Sequence, residues 1–246
     1  MKKYIIYSFL LTACLLGLAS CDKESSLDDS KLTYYVAFTL KGDAKMLVTV
    51  NTPYVDPGVK AVEKGADVSS KVVVTGTVDP NKIGLYTVTY SAKNVDGFSS
   101  SITRTIFVYD PTVTTDISGD YTVDTNLSNR NGTTYAARAL SKGGDFSGYV
   151  VTLTKVVPGF FSVSDFFGGF YAPGSGSSYK PAAPYQMTGY LSLTPSNTLE
   201  LSSSYVSAWS NSLTDLTDGV YVPGTGAVKW SASWSGYSFN VVLNKK

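Results

Sequence analysis

Gly84-Leu85-Tyr86-Thr87-Val88-Thr89-Tyr90-Ser91-Ala92 is the stretch that decides the fold. Tyr86, Val88, Tyr90 and Ala92 fall on one side of an extended chain, and Thr87, Thr89 and Ser91 on the other. This is the period of two expected for a strand with one packed face and one wet face. Asn94, Asp96 and Gly97 supply a turn, and residues 102–109 return with Ile102, Arg104, Ile106 and Val108 opposite Thr103, Thr105, Phe107 and Tyr109. Upstream, residues 34–39 alternate until Lys41-Gly42-Asp43. Residues 46–50 stop at Asn51-Thr52-Pro53, because proline cannot donate to a ladder, and residues 71–78 form a β-branched run ending at Asp79-Pro80-Asn81. Some seven strands in about eighty residues, with turn signals roughly every ten, predict a β-sandwich.

That rhythm is the one an immunoglobulin-like sandwich shows, and particular strings carry a family resemblance. Pro53-Tyr54-Val55-Asp56-Pro57-Gly58-Val59, Gly76-Thr77-Val78-Asp79, residues 84–92 and Asn94-Val95-Asp96-Gly97 resemble the bacterial surface-protein Ig-like domain, over residues 32–110. The resemblance implies display on a cell surface, as spacer or binding module, and not catalysis. Asp56, Glu63, Asp67, Asp79 and Asp96 lack the D-x-D-x-D-G spacing of a calcium loop and read as solvated loop acids; no metal site is expected.

Before this unit, a short apolar segment holding Ile5, Ile6, Phe9, Leu10, Leu11, Leu15, Leu16 and Leu18 follows Lys2 and Lys3 and ends at Leu18-Ala19-Ser20-Cys21. It has the anatomy of a signal peptide over residues 1–20, and it is too short for a comfortable membrane span. The ending resembles the lipobox of bacterial lipoproteins. That implies cleavage before Cys21 and acylation of this residue, including palmitate. An ordinary secretory signal with an incidental cysteine is the alternative. Residues 21–31 are polar and acidic and read as a flexible tether. The acidic run behind Cys21 resembles the surface-export signal of gut-bacterial lipoproteins, which implies an outer-membrane anchor facing the exterior.

Composition narrows the chemistry. Without residues 1–20 the chain keeps 18 basic and 19 acidic residues, a net charge of −1, and nothing in this balance attracts nucleic acid. Cys14 falls in the discarded segment and Cys21 is committed to lipid, so neither a disulfide nor a thiolate metal site is expected. The chain has 0 His, which removes the commonest general base, the commonest zinc ligand and every Ser-His or Cys-His pairing. No cofactor is expected.

Asp110-Pro111 stops the last strand of the first unit, and residues 111–116 read as a linker. From residue 117 to Lys246 the strand candidates are 119–124, 149–156, 160–163, 187–194, 199–204, 227–234 and 237–243, with no helix beyond a turn or two. They predict a second antiparallel sandwich or barrel. With Ser235-Gly236 as a two-residue turn, Trp234 pairs with Tyr237, Ala232 with Phe239 and Trp230 with Val241. Trp230 and Trp234 then read as core residues. Trp209, within Tyr205-Val206-Ser207-Ala208-Trp209-Ser210-Asn211, reads as a loop residue better placed to touch a ligand.

Tyr171-Ala172-Pro173-Gly174-Ser175-Gly176 and Tyr221-Val222-Pro223-Gly224-Thr225-Gly226 repeat one string. They are two equivalent loops at one end of the domain, or a Pro-Gly turn used twice. Around the first copy, residues 160–171 and then Tyr179, Tyr185 and Tyr190 are too densely aromatic for all of them to point inward from a loop. Sugar rings stack on such faces while their hydroxyls need short polar partners. Trp209, Tyr171, Tyr221, Phe170, Tyr179, Tyr185, Asp165 and Asn211 are therefore the candidate ligand-binding residues, with Gln186 and Arg138 as further polar partners. An end plugged by aromatics is the equal alternative. Asp165-Phe166-Phe167-Gly168-Gly169-Phe170-Tyr171 also resembles a string in C-terminal domains of lipoproteins encoded with glycan-uptake machinery in gut bacteria.

Together these features indicate a non-catalytic surface lipoprotein that binds glycan and assists an outer-membrane polysaccharide uptake system. Its partners are then the membrane, a polysaccharide or oligosaccharide, and outer-membrane uptake proteins. The alternatives are a structural or adhesin-type lipoprotein packed on a protein partner, and a carboxylate-pair glycosidase, the common hydrolytic chemistry that needs no His. For the last, only Asp165 among Asp116, Asp120, Asp124, Asp145, Asp165, Glu200, Asp215 and Asp218 lies in the aromatic loop.

Overall fold

The computed structural model describes residues 32–146, 148–171 and 183–246. Cys21, the tether, Tyr179 and the first Tyr-x-Pro-Gly-Ser-Gly string beyond Tyr171 lie outside the described residues.

The first unit holds β1 (Ala37–Leu40), β2 (Lys45–Thr49), β3 (Val59–Glu63), β4 (Ala66–Asp67), β5 (Val73–Thr75), β6 (Gly84–Lys93) and β7 (Ser99–Tyr109). They form a sandwich of a three-stranded sheet, β1-β3-β4, and a four-stranded sheet, β2-β7-β6-β5. The pairing of β6 with β7 runs unbroken from Gly84 opposite Val108 to Lys93 opposite Ser99, while β2 lies parallel to β7. The alternation read at 84–92 is what the packing uses: Val88, Tyr90 and Ala92 are buried, as are Ile106 and Val108 from β7.

One inward position of this core is charged. Arg104 is fully buried and pairs with Asp56, donates from Nη1 to the Tyr90 hydroxyl at 2.7 Å and reaches the carbonyls of Asp43, Lys41 and Gly58. Every donor direction of the guanidinium fork meets an oxygen, which is how a charge survives inside a sandwich. Burial opposes ionisation of Asp56, but the Tyr90 hydroxyl, the Gly58 N–H and Arg104 outweigh it and hold the carboxyl below the usual range. Asp56, expected as a solvated loop acid, is thus the ion-pair partner of a buried arginine, although the residue itself stays exposed at the loop. Glu63 departs from that expectation too, since it is buried and accepts the Val95 N–H at 2.8 Å. Asp67 and Asp79 cap local turns through the N–H groups of Ser69 and Asn81.

The second unit comprises β8 (Gly119–Val123), β9 (Asn129–Arg130), β10 (Thr133–Thr134), α1 (Tyr135–Lys142), β11 (Val150–Val157), β12 (Phe160–Val163), β13 (Thr188–Leu193), β14 (Leu199–Tyr205), β15 (Asp215–Val222), β16 (Ala227–Trp234) and β17 (Tyr237–Lys245). Thr134 caps α1 by accepting the Ala137 N–H, and Gly143, left-handed at φ 63°, ends it. The strand path β15-β16-β17-β8-β11-β12-β13-β14 is antiparallel throughout and curls into a half-closed barrel. Its two ends meet at one bridge, Thr198 with Val220. A Cβ on Gly219 would lie 2.2 Å from the Leu199 carbonyl oxygen, so this approach requires glycine.

The last hairpin has the expected register: Trp234 opposite Tyr237, Ala232 opposite Phe239, Trp230 opposite Val241. Trp230 and Trp234 are core residues, 2% and 8% exposed. Residues 111–116 are not a loose spacer, because Asp110 caps their turn and Val113 is buried in the core of the second unit. The two units also touch directly. Phe107 lies on the outer face of β7, yet it is 3% exposed because Phe160 of β12 covers it edge-on with ring centroids 5.5 Å apart. Val157, Ile83, Leu85, Tyr109, Val156 and Tyr190 complete this apolar seam.

Candidate functional site

Residues 164–171, which follow β12, turn into the barrel and fill it. Phe166, Phe167, Phe170 and Tyr171 are all buried, with Phe160 and Phe161 before them. Against expectation, the aromatics of residues 160–171 all face inward, while Tyr185 and Tyr190 stay half-buried. The loop can do this because its backbone is satisfied inside the protein. The Asp165 carboxylate accepts N–H groups from Phe167 at 2.9 Å, Gly169 at 2.9 Å and Met187 at 3.1 Å, and the Tyr149 hydroxyl at 3.0 Å. Trp230 Nε1 donates to the Phe166 carbonyl, and the Tyr135 hydroxyl to that of Phe167. Gly169 adopts φ +79°, and a Cβ there would sit 2.4 Å from the Tyr149 ring, so glycine is required. Asp165, Phe170 and Tyr171 are parts of a plug and not of an outer binding face. Burial pushes the Asp165 carboxyl up to about 6, against the pull of its four donors.

The rim of this plug is where aromatic rings come toward solvent. Trp209, half-buried in the short helical turn Ser207–Trp209, lies 5.2 Å from Tyr185, 5.1 Å from Tyr171 and 4.9 Å from Trp234, centroid to centroid. Trp234 in turn lies 6.5 Å from Tyr237, which is 39% exposed. Asn211 is exposed and exchanges backbone hydrogen bonds with Val206, beside Trp209. Trp209 and Tyr185 are thus ring neighbours, and Asn211 closes the turn that carries Trp209. Tyr221 lies apart from them: it pairs with Val228, six residues along β16 from Trp234, which at strand rise is about 20 Å away. The second Tyr-x-Pro-Gly string simply turns β15 into β16, with the Thr225 and Gly226 N–H groups on the Val222 carbonyl.

At the Tyr237 end the strip runs into a cavity of about 350 Å³ lined by Arg130, Asn131, Thr133, Arg138, Phe170 and Tyr237. Arg130 lies over the Tyr237 ring at 3.6 Å from its centroid, and Arg130 and Arg138 lie 4.9 Å and 4.3 Å from that of Phe170. Sharing one ring puts the two guanidinium groups no more than about 9 Å apart, where like charges repel by roughly 0.5–2 kcal/mol at effective dielectrics of 80 to 20. Burial, and then Arg130, lower the pKa of Arg138. The buried Nε atoms of both arginines have no hydrogen-bond partner among the described residues. Arg138 was foreseen only as a polar partner and Arg130 was missed. The available signal was charge: residues 125–144 contain Arg130, Arg138 and Lys142 and no acid.

Comparison with known proteins agrees with this architecture. A family model described as a "-like, C-terminal domain" matches residues 110–245, and that of the bacterial surface protein Ig-like domain matches residues 38–108. The lipoprotein BT2262 from Bacteroides thetaiotaomicron is 32% identical, with 86% of this chain and 100% of that one covered and a TM-score of 0.44. The chain belongs to the family of that lipoprotein. No curated protein sequence matches it. Two structures of Clostridium perfringens ZmpB were also found. The M60 catalytic domain with CBM51-1 and CBM51-2 is 19% identical, at 55% of this chain, 14% of that chain and TM-score 0.27. CBM51-2 in complex with GlcNAc and INT domains is 22% identical, at 53%, 28% and 0.26. Likeness this slight says nothing about a ligand here.

Proposed function

We propose that the chain is a non-catalytic surface lipoprotein, anchored to the outer membrane through acylated Cys21 and facing the cell exterior. Its Ig-like unit, residues 32–110, carries the β-domain at 117–246, which binds glycan for a polysaccharide uptake system. Kinship with a lipoprotein supports the anchor. The observation that carries the binding reading is the group of rings at the barrel rim, half-buried Tyr185 and Trp209 and exposed Tyr237, backed by buried Trp234 and adjoining a polar cavity. Flat rings at an edge offer the faces on which sugars stack. The glycosidase alternative loses its candidate acid, since Asp165 is 1% exposed and both its oxygens are occupied.

Affinity electrophoresis of the purified chain against a panel of polysaccharides tests the reading. Retardation by at least one is expected, reduced by Trp209→Ala or Tyr237→Ala and unchanged by Tyr35→Ala. Migration unaffected by every polysaccharide overturns it. A protein partner is the second reading, favoured by the exposed Tyr35 and Phe98 pair with Leu32 and Val95 at the far end of the Ig-like unit. Recovery of a stoichiometric membrane protein with the chain, lost in Tyr35→Ala, selects that reading.

A further inference from the structure

We propose that the cavity between Arg130 and Arg138 binds an anionic group, a carboxylate or sulfate borne by a sugar, so that the glycan is acidic. This rests on the glycan reading above and gives it a substrate class.

Two guanidinium groups converge on one phenyl ring, and neither forms an ion pair or a side-chain hydrogen bond among the described residues. Elsewhere the chain does not leave arginine this way: Arg104 has five oxygen partners. The arrangement is held from behind. Phe170 belongs to the plug, Arg130 sits in β9 opposite Phe239 of β17, and Arg138 is on α1, whose first residue, Tyr135, is tied to the Phe167 carbonyl. Such a pair is pre-positioned, and it places two planar donor forks beside an opening of monosaccharide size. Planar forks match the oxygens of carboxylate and sulfate. Thr133 and Tyr237 in the same wall bring hydroxyl groups that suit a sugar's hydroxyls. Tyr237 also joins the cavity to Trp234 and so to Trp209, which lets one chain of sugar units span both. A net charge near zero, +1 for the full sequence and −1 without residues 1–20, argues against indiscriminate attraction of polyanions by the whole protein.

The test compares matched matrices in the same gel: polygalacturonate against its methyl ester, and dextran sulfate against dextran. The wild-type chain is expected to bind one anionic member at least tenfold more tightly than its neutral counterpart, with the excess falling as salt rises. The pair that shows it tells carboxylate from sulfate. Arg138→Gln and Arg130→Gln are expected to remove the excess and Arg138→Lys to restore part of it. Tryptophan fluorescence reports folding, and Arg138 lies on a half-exposed helix face, so at least one variant remains informative. Equal binding of charged and neutral matrices, unchanged in the arginine variants, overturns the anionic site and leaves the glycan reading standing. An anionic excess that survives both substitutions also overturns it. Binding to no matrix of any kind overturns both.

Discussion

Arg104 in the Ig-like unit and Asp165 in the barrel are the most deeply buried charged side chains among the described residues, 0% and 1% exposed, and the two are compensated by opposite means. In the Ig-like unit Arg104 is matched by Asp56, Tyr90 and three carbonyls, so side chains carry part of the balance. In the barrel Asp165 has no ion-pair partner among the described residues; three backbone N–H groups and one hydroxyl hold it. A side-chain partner can be removed together with the charge it serves. A backbone donor stays when its acceptor goes, so the barrel depends more heavily on its one carboxylate than the sandwich does on its pair.

Asp165→Ala should therefore have the largest effect. It leaves three buried N–H donors unmet, each costing about 1–3 kcal/mol, besides the half-buried Tyr149 hydroxyl, and urea unfolding followed by tryptophan fluorescence should show at least about 3 kcal/mol lost or no folded barrel. All three tryptophans lie in the second unit, so this signal reads the barrel alone. Arg104→Ala should cost about 3–5 kcal/mol in the circular-dichroism transition of the sandwich. The double change Arg104→Met with Asp56→Ala should cost less than Arg104→Ala alone. If the double variant is worse, the contrast between the units fails.

Acid titration separates the two sites by sign. The folded Asp165 carboxyl keeps its proton up to about 6, above its unfolded value of 3.8, so its contribution is complete below the unfolded value and is lost as pH rises through 6. The difference amounts to about 3 kcal/mol. Asp56 is shifted downward, so its contribution is present above 3.8 and lost as pH falls through its lower folded value. Unfolding midpoints between pH 3 and 7 should move in opposite directions for the barrel and the sandwich, and Asp165→Asn should flatten only the barrel's. The smallest effect belongs to the seam between them. Phe107→Ala, at an interface and not in either core, should cost about 3 kcal/mol, the low end for a buried phenylalanine, and separate the fluorescence and circular-dichroism transitions.

Strands were legible wherever one face alone is buried. Residues 84–92 and the final hairpin are of that kind, and the hairpin's register followed from Ser235-Gly236. β15 was hidden because Asp218-Gly219 has the chemistry of a turn; the chain uses it for a bulge between Thr217 and Val220, with Asp218 at φ 53°. Phe107 read as a wet position, since no local pattern shows that another unit will cover it. The plug failed for the same reason. What lets Phe166, Phe167 and Phe170 turn inward is a carboxylate, an indole and a phenol drawn from residues 165, 230 and 135, and a periodicity cannot express that meeting.

The parallel pairing of β2 with β7 has a mechanical consequence. Tension between the segment preceding β2 and the barrel following β7 drags these strands past one another lengthwise, loading the rungs from Lys45 with Thr105 to Thr49 with Tyr109 together instead of opening them one by one. A module clasped in this way holds its shape while whatever it carries is pulled.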